Sequence, residues 1–271
     1  MSRDWNELIE AQWQAKQFLC VGLDPDLDKI PSHVSGNSLR ERIVAFNKAI
    51  VEATKDIVAC YKPNSAFYEA HGAEGWMALK ETVALINEIA PSVPVIFDAK
   101  RGDLENTNKS YASAAFDDLG ADAITVQPYL GAEALEPFLA RADKGVIVLC
   151  RTSNPGAGEF QDLLVDGLPL YQRVAKNVVE LWNKNGNCAL VVGATYSREL
   201  GEVRAIAPDM PILIPGVGEQ NGDLGASVGA AKRSFLISTS RAILYASSGV
   251  DFAEAARAKA QAYDSAIRKA L

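Results

Sequence analysis

The sequence predicts an α/β protein folded as a single (β/α)8 (TIM) barrel spanning residues 1–271. Three observations point there. Short apolar runs rich in Val, Ile and Leu recur along the chain, beginning near Phe18, Ala59, Val93, Ala123, Gly145, Cys188, Met210 and Ser234. Amphipathic helical patterns lie between most of them, and no linker or composition break divides the series. Most runs are continuously apolar, as parallel strands buried on both faces are. Strand–helix alternation of about eight unbroken units fits a closed barrel better than an open doubly wound sheet.

Taken in order, residues 1–17 mix charged and apolar side chains at helical spacing and lack the uninterrupted apolar stretch of a signal peptide. The first strand ends in Gly22-Leu23-Asp24-Pro25-Asp26. Residues 37–57 form the clearest helix: Leu39, Ile43, Phe46, Ile50 and Ile57 share a face, with Arg40, Glu41, Lys48 and Glu52 elsewhere. The second strand leads into Tyr61-Lys62-Pro63-Asn64, and the third runs from Val93 to Asp98-Ala99-Lys100. The shorter connections after Gln127 and Gly216 fit the count of eight least well. The fifth strand enters a Gly- and Pro-bearing loop over residues 151–160, and a helix over residues 251–271 ends the sequence.

Composition narrows the function. The 271 residues carry a formal net charge of −7, which opposes general nucleic-acid binding, since phosphate neutralisation needs a basic face. No run approaches the roughly 18 apolar residues of a membrane span, so no membrane contact and a cytoplasmic location are expected. Cys20, Cys60, Cys150 and Cys188 are far apart, each in a predicted strand, and read as buried reduced thiols. The two histidines, His33 and His71, fall away from the other polar candidates, so a His-based triad or His-rich metal site is not expected.

Polar residues gather at the carboxyl ends of the predicted strands: Asp24 at the first, Lys62 at the second, Asp98 and Lys100 at the third. Ser153 follows the fifth, Gly216 and Gly218 the seventh, and Arg241 the eighth. In a barrel these ends meet on the face that carries active sites. Side chains two apart on a strand point the same way, so Asp98 and Lys100 share one side, while Phe97 and Ala99 face the other. Asp103 lies just past the strand end. The result is an alternating Asp–Lys–Asp–Lys cluster. In Ile214-Pro215-Gly216-Val217-Gly218, glycines lacking Cβ let backbone N–H groups approach an anion, and the seventh and eighth loops of barrels often hold phosphate. Arg241 is placed to contact such a phosphate with two N–H groups.

The segment Asp98-Ala99-Lys100-Arg101-Gly102-Asp103, continuing to Asn106-Thr107, resembles the signature of orotidine 5′-phosphate decarboxylases. The resemblance extends through residues 22–24, 61–67, 125–131, 152–156, 215–223 and 240–242. The segment Lys62-Pro63-Asn64-Ser65-Ala66-Phe67-Tyr68-Glu69 is similar to the longer bacterial branch. What the resemblance implies is a decarboxylation without cofactor or metal, in which Lys100 protonates C6 of the pyrimidine as carbon dioxide leaves. Asp98 would lie beside the departing carboxylate, and Lys62 and Asp24 would contact ribose hydroxyls. Asp103 and Thr107 would reach into the neighbouring site of a homodimer, Ser153 would read the pyrimidine edge under a closing loop, and Gln220 and Arg241 would hold the phosphate. Ser240 stands where the family often has glycine, and is expected to narrow the phosphate pocket.

Other classes make different demands. A magnesium-dependent sugar-phosphate aldolase or decarboxylase of the same barrel group carries Asp-x-Lys-x-x-Asp too, but with a carboxylate where this chain has Lys62. A Schiff-base enzyme needs a neutral Lys100, which Asp98 and Asp103 would oppose. A catalytically silent nucleotide-binding barrel should have lost a charged member, yet all five are present.

Overall fold

Every predicted apolar run contains a strand, and the eight strands form one parallel sheet. The structure, a computed structural model, describes residues 3–217 and 222–271. The strands are β1 (Leu19–Gly22), β2 (Cys60–Lys62), β3 (Ile96–Arg101) and β4 (Ala123–Val126). They continue as β5 (Gly145–Arg151), β6 (Cys188–Val192), β7 (Ile212–Pro215) and β8 (Phe235–Thr239). Each pairs with its sequence neighbour, and β1 pairs with β8. Between β2 and β3 the sheet is closed by the bridges Tyr61↔Val95 and Asn64↔Asp98.

The strands read as continuously apolar because both faces are covered. Outward side chains pack under helices such as Leu39–Thr54, whose Ile43, Phe46 and Ile50 are buried as the helical spacing predicts. Inward side chains form a layer with a member from every strand: Cys20, Cys60, Ile96, Ala123, Ile147, Ala189, Leu213 and Leu236. Filling the interior with layers of side chains makes the barrel a packed core rather than a pore. Helix Trp5–Gln14 closes the lower end by inserting Trp5 and Ile9 into this layer. Gly145 makes room for it, since a Cβ there would come within 2.7 Å of the Trp5 ring.

All four cysteines lie in strands, buried and unpaired. Among the described residues no helix is long and apolar enough to cross a membrane. His71 precedes helix Gly72–Ile89, and His33 lies against the Phe252 ring.

Candidate active site

Two residues beyond the inner layer, the same strand faces turn polar. Lys62 follows Cys60, Asp98 follows Ile96, and Thr125 follows Ala123. These side chains converge on Asp98, which is buried. Its Oδ1 accepts from Lys100 Nζ at 2.7 Å and from Thr125 Oγ1 at 2.8 Å. Its Oδ2 accepts from Lys62 Nζ at 3.1 Å and from Asn64 Nδ2 at 3.3 Å.

Burial alone would push the Asp98 carboxyl up. Lys62 and Lys100 beside it, with the hydrogen bonds from Lys100 and Thr125, outweigh burial and hold it well below the usual carboxylate range. Burial likewise pulls the Lys62 ammonium down, but Asp98 and then Asp24 outweigh it and hold it above the usual lysine range. Both groups therefore stay charged at neutral pH, which fixes an alternating field at the barrel mouth.

Lys100 reaches Asp98, but not by simple alternation. Its φ is +48°, in the region that favours glycine, and the β3–β4 register shifts between Phe97 and Arg101. The kink leaves the Lys100 side chain 45% exposed where that of Asp98 is 9% exposed, so the ammonium stands on the solvent side of the carboxylate. Thr125 Oγ1 accepts the Lys100 backbone N–H at 2.9 Å, holding the irregular turn in place. As alternation predicts, Phe97 and Ala99 pack outward into the helix-facing core.

Asp24 is buried at the end of β1. Its Oδ1 accepts from Asn64 N at 3.1 Å, and its Oδ2 from Ser240 Oγ at 2.6 Å. Asp24, Lys62, Gly216 and Arg241 line a cavity of about 430 Å3. Gly216 has φ +97°, so glycine suits the turn after β7. Gly218 and Gln220 lie outside the described residues.

Three expected site residues stand apart from this cluster. Asp103 accepts from Leu104 N at 2.7 Å, and its own N–H donates to Asn108 Oδ1 at 3.1 Å. Thr107 N donates to Asn106 Oδ1 at 2.9 Å. Among the described residues neither bonds to Asp24, Lys62, Asp98 or Lys100. Ser153 packs on Gly193, where a Cβ would come within 2.6 Å of its own. The loop carrying Ser153 is tied to β5 by Gln161, which accepts from Thr152 N at 2.8 Å and donates to Thr152 Oγ1 at 2.8 Å.

Thr125 and Asn64 were not singled out from the sequence. Thr125 was within reach, as a polar residue two positions past an inward alanine in an apolar strand. Asn64 contacts Asp98 from the turn after β2, a proximity that only barrel closure creates. Among the described residues no group of three or more His, Cys, Asp or Glu side chains could hold a metal ion.

Fold and site define a TIM-barrel enzyme with a lysine–aspartate network at the carboxyl ends of its strands. The chain belongs to the orotidine 5′-phosphate decarboxylase / HUMPS family, whose model matches residues 17–258. It is 53% identical over 249 residues to the orotidine 5′-phosphate decarboxylase of Herpetosiphon aurantiacus, covering 92% of this chain and 91% of that one. Against the enzyme of the same name from Cellvibrio japonicus it is 49% identical over 259 residues, 94% of each chain. The solved OMP decarboxylase of Leishmania donovani superposes with a TM-score of 0.84 at 38% identity, covering 98% of this chain and 99% of that one.

Proposed function

We propose that this protein decarboxylates orotidine 5′-phosphate to uridine 5′-phosphate in de novo pyrimidine synthesis, as a carboxy-lyase needing neither cofactor nor metal. One observation carries the reading: each oxygen of a buried aspartate is held by a lysine ammonium, beside a cavity lined by Arg241. The bond from C6 to the carboxyl carbon breaks, its electron pair stays on C6, and Lys100 delivers a proton there as carbon dioxide leaves. A fixed ammonium is worth most where charge develops during the reaction. Lys62 and Asp24 contact ribose hydroxyls. Gly216, Gly218, Gln220 and Arg241 hold the phosphate, and Ser153 reads the pyrimidine edge as its loop closes.

Repulsion between Asp98 and the substrate carboxylate is one contribution. Two unit charges about 4 Å apart are worth roughly 4 kcal/mol at an effective dielectric near 20. Enzymes lower barriers by about 8–23 kcal/mol, and a reaction that leaves charge on a ring carbon belongs high in that range. Lys100 and binding energy from the remote phosphate therefore supply much of the remainder. The two lysines on Asp98 oppose a divalent cation there, which favours this reading over a magnesium-dependent one.

Asp103 and Thr107 act across the interface of a homodimer. Leu104 is 62% exposed and Tyr129 87% exposed at the ends of the neighbouring strands β3 and β4, and a second subunit would cover them. Residues 1–271 are read as one domain because one eight-stranded sheet runs from Leu19 to Thr239 and the helices Trp5–Gln14 and Phe252–Ala270 at either end pack into its core. The cytoplasm is the expected location for this biosynthetic step.

The test follows loss of orotidine 5′-phosphate absorbance by EDTA-treated protein beside a Lys100→Ala variant. Turnover that resists EDTA and collapses in the variant is expected. A well-folded wild-type protein without turnover would overturn the assignment.

A further inference from the structure

The Ser240 side chain bonds to Asp24, joining two grips that the proposed reaction keeps apart, on ribose and on phosphate. Its hydroxyl gives its proton to Asp24 Oδ2 at 2.6 Å, the length of a charge-assisted O–H···O bond. Gly22 O, at 3.5 Å, is the poorer acceptor. Gly22 also allows the approach, since a Cβ there would lie 2.8 Å from both Cβ and Oγ of Ser240. The other Asp24 oxygen is taken by Asn64 N, and the Asp24 carbonyl accepts from Tyr245 OH at 3.0 Å. The carboxylate is thus gripped from β2 on one side and from the end of β8 on the other. Ser240 is the residue immediately before Arg241, and both line the same cavity.

We propose that Ser240 is a positioning residue that couples the phosphate grip to Asp24. Resting on the decarboxylase reading, this deepens it. A phosphate bound at Arg241 fixes the adjoining Ser240, whose hydroxyl already bonds Asp24. That hydroxyl then holds the Asp24 carboxylate in the rotamer that meets a ribose hydroxyl. Binding energy gained at one end of the substrate is thereby spent on orientation nearer the reacting ring. A glycine at this position could hold the phosphate but could not hold Asp24.

The experiment measures kcat/KM for orotidine 5′-phosphate and its 2′-deoxy and 3′-deoxy analogues, in wild type, Ser240→Ala, Asp24→Ala and the double variant. Thermal midpoints confirm folding. Ser240→Ala should lose about 10-fold or more on the full substrate, as hydrogen bonds to charged groups do. The loss should shrink for the analogue lacking the hydroxyl that Asp24 holds, and persist for the other. In the Asp24→Ala background, Ser240→Ala should cost little more. Wild-type kinetics in Ser240→Ala, or equal losses on all three substrates, would overturn the coupling while leaving the decarboxylase assignment standing. A wild-type protein that does not turn over the full substrate removes both.

Discussion

At the amino ends of the strands, Asp122 is wholly buried and accepts from Arg3 Nε at 2.8 Å, Arg3 Nη2 at 2.7 Å and Val95 N at 2.8 Å. At the same end, before β7 and β8, the buried Arg204 donates to the backbone carbonyls of Ala207, Pro208, Met210, Ala231, Arg233 and Ser234, and burial pulls its guanidinium down to about 10. At the carboxyl ends, Asp98 is equally well supplied with donors, but one of them, Lys100, stands half in the open. Among the described residues the Lys100 ammonium bonds only to Asp98. The closed end uses charge to tie strand ends and a helix together, and every partner belongs to the fold. The open end leaves a half-exposed cation with N–H groups to spare beyond its bond to Asp98. Burial of charge is common to both ends; an unfinished set of bonds is what separates a site from a tie.

The largest test of this contrast pairs Lys100→Ala with Asp122→Ala. The first should lower kcat/KM by about 10²–10⁴-fold, the range for losing a positioned proton donor. The second should leave activity per folded molecule unchanged while costing about 3 kcal/mol in urea denaturation, because the buried Arg3 contact and Val95 N lose their acceptor. A large activity loss from Asp122→Ala would erase the distinction between the two ends.

Thr125→Val keeps the side-chain shape but removes the hydroxyl that joins the Lys100 backbone to Asp98. A decrease in kcat/KM of about 10-fold is expected. Unchanged kinetics would show that the kink at Lys100 holds itself.

The smallest effect concerns pH. The Asp98 carboxyl is held below its ordinary 3.8, so the stability it contributes is complete above that pH and is lost as pH falls through the lower folded value. Lys62 is held above its ordinary 10.5, so its contribution is complete below that pH and is lost as pH rises through the folded value. Between about pH 5 and about pH 9 the unfolding free-energy difference between wild type and a double Lys62→Met, Asp98→Asn variant, which removes both members of the pair, should therefore stay flat. A slope there would mean that the pair titrates within the working range.

Most of the barrel was legible because its strands are buried on both faces, and continuous apolar runs betray that. Strand starts fell within a few residues of the observed ones: Val93 against Ile96 and Met210 against Ile212 mark the widest gaps. Asp24, Lys62, Asp98 and Lys100 were legible because charges at the ends of apolar strands are expensive unless they are used. Alternation did not anticipate the positive φ at Lys100, because the hydroxyl that bonds the kinked backbone, Thr125, comes from the next strand. The Ser240–Asp24 bond joins residues 216 positions apart, so only closure of β8 against β1 brings it into being. What local pattern encodes was readable; what neighbouring strands do to one another was not.

The buried thiols also make the barrel its own reporter. Cys20 and Cys60 sit opposite each other in register on β1 and β2, inside the barrel. Cys150 and Cys188 lie on the outward faces of β5 and β6, where burial pushes each thiol up to about 12. An alkylating reagent reaches the second pair when helices lift, but the first only when the staves themselves part. Labelling rates at the four positions would thus time two kinds of opening in one molecule, with no probe added.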